Sequence, residues 1–403
     1  MITGITGFAG PHLARVLLDE GAKVYGLVRR RSDGNLARGI SDLGITKQVE
    51  VIEGSVEDIP SLLSALDRAE PDYVFHLAAQ SFVERSFVNP LETFQANATG
   101  TTNILEAVRI KDRFRSRFVF AGSSEEYGMV IPSEEYMKEF GLSKSAVFPP
   151  PQRIPELPVS ETNPLRPLSP YAVTKVYGEY ATLNFQRSYG LDGLVTRAFN
   201  HEGARRGRMF VTSVIARQVM RYKYGETDMI SLGNVEAFRD WSFVSDIVEG
   251  YKLAAMKGGK GEVYNLGAER TNSVLTYLLW SLVELGIEIR TLTTLNNKKR
   301  ITSPAESRRL RMFGRTFRGS AVDELMLNHA LSFDSTDKGF DLTTSKGVVS
   351  VRFDANRFRP ADVPILMSDC TKAKEQLGFS AKHSLNHIIR DQLNSYVAPE
   401  IRQ

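Results

Sequence analysis

Short apolar runs and amphipathic stretches take turns along the first two-thirds of the chain. Ala22 to Val28, Val49 to Ile52, Tyr73 to Ala79, Phe118 to Ala121, Gly193 to Ala198 and Val263 to Leu266 have the length and apolar content of buried strands. Between them, Pro11 to Glu20, Ser61 to Arg68, Leu91 to Arg109, the stretch opening at Ser169 and Val244 to Met256 carry helical patterning. Strand and helix in alternation predict a parallel sheet covered on both faces. Two segments break the pattern. From Met129 to Pro167 the prolines Pro149, Pro150, Pro151, Pro155 and Pro158 predict a surface loop at the active edge, shaping a pocket or a subunit contact. From about Thr291 to Gly347, Lys298-Lys299-Arg300, Arg308-Arg309, Arg311, Arg315 and Arg318 predict a basic, mobile insertion. Phe353 to Pro360 and Asp369 to Phe379 resume a compact segment.

Chemistry-bearing residues cluster where strands end. Gly4-Ile5-Thr6-Gly7-Phe8-Ala9-Gly10 leads into the first helix. Glycines there let a turn approach a pyrophosphate, which the helix N-terminus attracts through unpaired amides. The spacing is Gly-x-x-Gly-x-x-Gly, and only Met1, Ile2 and Thr3 precede it, which implies either a stunted first strand or a start downstream of the natural one. The second strand ends in Arg29-Arg30-Arg31. Arginines there suit a ribose 2′-phosphate, so NADP is expected over NAD. Ala78-Ala79-Gln80-Ser81 closes the fourth strand with small residues that let a cofactor lie close. Phe118 to Ala121 runs into Gly122-Ser123-Ser124-Glu125-Glu126-Tyr127-Gly128, a turn that sets a hydroxyl and carboxylates at a strand's C-terminal end. The four-residue step from Tyr171 to Lys175 places phenol and ammonium on one helix face. A nearby cation is expected to lower the phenol's pKa toward neutrality and make it a usable base. Phe199-Asn200 with Arg205-Arg206 predicts an anion site.

Composition narrows the class. The 403 residues are 42% hydrophobic and carry a net charge of +4, which suits a globular protein with a large core and is too mild to imply a nucleic-acid binder. One cysteine, Cys370, allows no internal disulfide and agrees with a cytoplasmic setting. No leader and no membrane-length apolar run is read, and no metal is expected: His383 and His387 read as helix-surface residues.

Together these pieces resemble the extended short-chain dehydrogenase/reductases, and within them the GDP-mannose 4,6-dehydratases. The resemblance is carried by Leu77-Ala78-Ala79-Gln80-Ser81-Phe82-Val83, Ser123-Ser124-Glu125-Glu126-Tyr127-Gly128, Ser169-Pro170-Tyr171-Ala172-Val173-Thr174-Lys175, Phe199-Asn200-His201-Glu202 with Arg205-Arg206, Arg239-Asp240-Trp241 and Arg357-Phe358-Arg359-Pro360. It implies an α/β, Rossmann-type doubly wound parallel sheet with a smaller C-terminal α/β substrate-binding domain. The NADP-binding part is expected over 1–197 and 235–266, and the substrate part over 198–234 and 267–403. It implies catalysis by Ser123, Glu125, Tyr171 and Lys175, and cofactor binding by Gly4, Gly7, Phe8, Gly10, Arg29, Arg30, Ala78, Tyr171 and Lys175. Ser81, Asn200, Arg239 and Arg359 would hold a nucleotide-diphosphate sugar. The implied reaction is an internal redox dehydration of GDP-mannose to its 4-keto-6-deoxy form by a homodimer or homotetramer. The alternatives are an NADPH-dependent nucleotide-sugar 4-ketoreductase or a 4-epimerase, for which Glu125 is not needed as a base. Three departures stand out: Ser123 replaces the family's usual threonine, Ser55 replaces an aspartate near the adenine, and Ser213-Val214 replace Arg-Lys.

Overall fold

The computed structural model describes residues 1–29, 38–112, 115–140, 148–333 and 336–397. Seven strands form one wholly parallel sheet: β1 (Ile2–Thr3), β2 (Val24–Val28), β3 (Val49–Glu53), β4 (Tyr73–His76), β5 (Arg117–Ser123), β6 (Gly193–Ala198) and β7 (Val263–Leu266). Their order is β7-β6-β5-β4-β1-β2-β3. The chain therefore works outward from β1 to one edge, returns, and works outward from β4 to the other. The switch point lies between β1 and β4, and ligands of such sheets bind beyond the strand C-termini there.

The expectation from alternation is met, and β5 shows why. Phe118 and Phe120 pack into the hydrophobic cluster on one face of the sheet, Val119 and Ala121 into the cluster on the other. A strand apolar on both sides has no stable place except the middle of a covered sheet. Helix α1 (Ala9–Asp19) follows β1, and the long helix α2 (Pro170–Tyr189) crosses β5. Ser169 caps α2, its hydroxyl accepting from the Ala172 amide at 3.0 Å, and Gly190 ends it at a φ of 87°. Gly178 lets α2 approach closely: a Cβ there would stand 2.3 Å from the Phe120 ring.

A second, larger core lies beyond this sheet. Its five-stranded sheet runs Arg300–Thr302, Ile289–Thr294, Gly339–Thr344, Gly347–Phe353, Met229–Leu232, antiparallel except for the last pairing. The basic segment belongs to this core and is not a loose insertion. Arg308-Arg309-Leu310-Arg311-Met312 alternates with period two, so Ser307–Met312 pairs with Arg315–Ser320 as a hairpin that buries Leu310 and Phe317. Two of its arginines are held by carboxylates: Arg315 by Asp369 at 2.9 Å and by Glu269 at 3.2 Å, and Arg308 by Glu306 and Glu324.

The proline-rich stretch departs from a surface loop in two ways. It contains a helix, Glu134–Phe140, and its later part is pulled into the second core. Leu157 and Val159 are buried there, and Arg166 and Glu156, each almost fully buried, join through hydrogen bonds of 2.7 and 2.8 Å. Proline excludes regular structure from a segment, not burial, provided the freed backbone groups find partners. His383 also differs from expectation. It precedes the helix Leu385–Val397, and its Nδ1 lies 2.8 Å from Asp246.

Candidate active site

At the switch point a cavity of about 540 Å³ opens, lined by residues from every strand end that points there. Its floor on one side is the glycine turn. Gly4 has a φ of 74°, and a Cβ on it would stand 2.6 Å from the Ala78 amide nitrogen. A Cβ on Gly10 would stand 2.6 Å from the Gly4 carbonyl oxygen. Only glycine permits β1, β4 and α1 to converge this tightly. Phe8 at the start of α1 offers no side-chain cap, so the first helical amides face the cavity without a protein partner for them from that side chain. Uncapped amides at a helix N-terminus suit the diphosphate of a dinucleotide. Arg29, at the end of β2, lines the same cavity and is exposed. Arg30 lies outside the described residues. Ser55, the departure from the family's usual aspartate, lines the cavity, its backbone amide donating to the Ser61 hydroxyl at 3.1 Å.

Ala78 and Ser81 lie along the wall. The turn that carries them is set from behind by Asn97, whose Oδ1 accepts from the Gln80 amide at 2.7 Å and whose Nδ2 donates to the Thr174 hydroxyl at 3.0 Å. Asn97 lies in a π-helical turn, Gln95–Thr99, that aims it inward.

Ser123, Glu125, Tyr171 and Lys175 all line the cavity. Ser123 ends β5 and caps a short 3₁₀ turn, its hydroxyl accepting from the Glu125 amide at 3.2 Å. The Ser123 hydroxyl lies near enough to the Tyr171 phenol to favour its ionised form. Lys175 is buried, and its ammonium donates to the Ala121 carbonyl at 2.6 Å while sitting 5.9 Å from the Tyr171 ring centre. The phenol's pKa is not lowered toward neutrality as expected. Burial raises it, and the nearby Ser123 hydroxyl opposes burial without overcoming it. Lys175 is instead the group whose pKa falls: burial lowers it to about 8, with the Glu126 carboxylate pulling the other way.

The opposite end of the cavity is lined by Asn200, Arg206 and Arg359. The Asn200 side-chain oxygen is buried without a hydrogen-bond partner. Arg206 stacks on Phe210, 3.5 Å from the ring centre, with Phe8 at 5.0 Å. Arg359 is held by Glu84 at 3.0 Å and by Asp362 at 3.5 Å. Arg239 does not line the cavity. It is buried just behind, donating to the Val363 carbonyl at 2.6 Å and to Asp362 at 2.8 Å, so that one carboxylate joins both arginines. Asp362, Glu84 and Asn97 had no signal in the sequence, because each acts through a partner remote in the chain. Arg206 had one, the paired arginines after Asn200.

Comparison with known proteins decides the kinship. Residues 1–267 match the model of the NAD dependent epimerase/dehydratase family. The chain belongs to that family. Within the epimerase/dehydratase family it is similar to a GDP-mannose 4,6-dehydratase of Yersinia enterocolitica, 32% identical over 94% of this chain and 88% of that protein. A human GDP-mannose 4,6 dehydratase is 29% identical over 98% and 91%. Residues 327–392 match a second model, described as GDP-mannose 4,6 dehydratase. The fold is shared with RMD from Pseudomonas aeruginosa complexed with NADPH, at a TM-score of 0.64 and 20% identity over 98% and 97% of the two chains. It is shared too with a UDP-glucose 4-epimerase from Thermotoga maritima, at 0.67 and 24% over 98% and 97%. Among the described residues there is no cluster of three metal-ligating side chains and no helix long and apolar enough to cross a membrane.

Proposed function

We propose that the protein is a nucleotide-sugar 4,6-dehydratase that acts on GDP-mannose and yields its 4-keto-6-deoxy form. The observation that carries this reading is the convergence of Ser123, Glu125 and Tyr171 on one cavity whose other end holds Asn200 and Arg359. A reductase or epimerase of the same fold leaves Glu125 without a task; the dehydratase needs it.

In this reading Ser123 and Tyr171 grip the sugar's 4-hydroxyl, and Tyr171 takes its proton. Lys175, anchored on Ala121, supplies the positive charge that a buried phenolate requires. The dinucleotide supplies a hydride acceptor for C4 that gives the hydride back at C6, so no reductant is consumed. Once C4 is a ketone, the C5 proton is acidic. Glu125 removes it and passes a proton to the departing 6-hydroxyl, which leaves as water. Arg359, with Arg239 supporting it through Asp362, and Asn200 hold the diphosphate end.

The cofactor of this reading is NADP, bound by Gly4, Gly7, Phe8, Gly10 and Ala78, with Arg29 toward the 2′-phosphate. The seven-stranded sheet carries the cofactor, and the second core carries the nucleotide. The working form is a cytoplasmic homo-oligomer. An exposed apolar row on α2, Val173, Tyr177 and Tyr180, beside Val88, Leu91 and Phe94, supports such an assembly.

The test is incubation of purified protein with GDP-mannose and no reductant, followed by mass spectrometry. A product lighter by one water is expected. Turnover only on addition of NADPH and a 4-keto-6-deoxy sugar nucleotide would replace the dehydratase with a reductase.

A further inference from the structure

Directly beneath the carboxylate that faces the cavity lies a second one that does not. Glu126 follows Glu125 at the end of β5, yet it is fully buried and points under the turn. Its Oε1 accepts from the Ser123 amide at 2.6 Å, and together with the Ser123–Glu125 bond this closes a capping box. A Cβ on Gly122 would stand 2.7 Å from the same oxygen, so the carboxyl is pressed against the backbone that carries Ser123.

Its other oxygen, Oε2, has no hydrogen-bond partner. The cation nearest to it is Arg197 from β6, with Nε at 3.8 Å. That guanidinium is already committed, forked by Glu179 at 2.6 and 2.8 Å and donating to the Tyr127 hydroxyl at 2.8 Å. From α2, Glu179, Lys175 and Tyr171 face the same space, and Glu125 and Tyr127 flank Glu126 on its own turn. One guanidinium between two buried carboxyls cannot satisfy both. Burial first, and the Glu179 carboxylate second, push the Glu126 pKa well up, against Arg197. An acid buried with an orphaned oxygen is unfavourable for folding, which points to a role in the site and not in stability.

We propose that Glu126 is a positioning residue of the reaction: through the hydrogen bond its carboxyl accepts from the Ser123 amide it holds the Ser123 backbone, so that the Ser123 hydroxyl and the Glu125 carboxylate reach the sugar together. The role presupposes the dehydratase reading and adds to it a group that never touches substrate. Two variants separate shape from charge. Glu126→Leu removes the acceptor and is expected to lower kcat roughly 10–100-fold, the cost of a small misplacement, with KM for GDP-mannose within about twofold. Glu126→Gln keeps an acceptor oxygen and is expected to recover most of that loss. Hydrogen exchange of the peptide 118–127, measured without substrate, is expected to speed up in the Leu variant and not in the Gln variant. Parental kcat in Glu126→Leu, a Gln variant as slow as Leu, or unaltered exchange would each overturn the proposal. Failure of the parent enzyme on GDP-mannose would strike the dehydratase reading instead, and the exchange measurement then decides Glu126 alone.

Discussion

The two ends of the cavity are held in place by different forces. At the reacting end, Ser123 and Lys175 are fixed by backbone: a buried parallel strand, a helix pressed against it, and hydrogen bonds to Ala121 and Ser123 main-chain groups. At the nucleotide end, Arg359 and Arg239 are fixed by carboxylates, Glu84 and Asp362, brought from distant parts of the chain. The first arrangement is stiff and insensitive to salt. The second is a charge network in which each arginine already has a protein anion as partner. The difference teaches that rate should depend on one end and affinity on the other.

The largest effect is expected from Glu125→Gln. Loss of a general base costs about 10²–10⁴-fold, so dehydration should nearly vanish while NADP binding, followed by fluorescence or calorimetry, stays intact. Release of the keto product at the parental rate would show that the base lies elsewhere. Arg359→Ala should act on the other parameter. Removing a charge-assisted bond of about 1.5–3 kcal/mol raises KM roughly 10–100-fold and leaves kcat within a few-fold. A fall in kcat at unchanged KM would break the division between the two ends.

That division also sorts what the sequence could reveal. The reacting end was legible because its geometry is local and periodic: an apolar strand, a turn of small polar residues, and a Tyr–Lys step on one helix face. Strands Gly193–Ala198 and Val263–Leu266 appear where the pattern put them. What failed there was energetic. The lysine was expected to depress the tyrosine, whereas burial acts on both and Lys175 gives way. The nucleotide end was half legible. The arginines were visible, but the carboxylates that place them were not, since Glu84 and Arg359 are 275 positions apart. The same blindness made the arginine-rich hairpin look mobile, because composition does not show that Leu310 and Phe317 reach a core.

A smaller effect is expected from Asp362→Asn. The carboxylate joins Arg239 at 2.8 Å and Arg359 at 3.5 Å and accepts from the Asn234 amide at 3.1 Å. Without its charge both arginines keep their other partners but lose a common anchor. KM should change by only a few-fold, measured as initial rates against GDP-mannose, and its dependence on ionic strength should alter. An effect as large as that of Arg359→Ala would mean that Asp362 builds the nucleotide end outright.

The mildest perturbation is pH, and it separates the ends without any mutation. Lys175 has a folded-state pKa of about 8 against an ordinary 10.5. As pH rises through about 8 the ammonium is lost, and with it the support for the phenolate, so kcat should fall. The guanidinium of Arg359 stays charged throughout, so KM should remain flat over the same range. Stability must move the other way from kcat. Between about 8 and 10.5 the unfolded chain holds a proton on this lysine that the folded chain has released, and stability rises with pH wherever the unfolded state binds more protons. The penalty for burying the charge is fully present below pH 8 and relieved above it. Chemical unfolding at pH 7.5 and 9.5 should therefore show a gain that Lys175→Met abolishes. If instead kcat and stability fell together across that window, the ammonium would be contributing to the fold, and the reacting end would be held by charge just as the nucleotide end is.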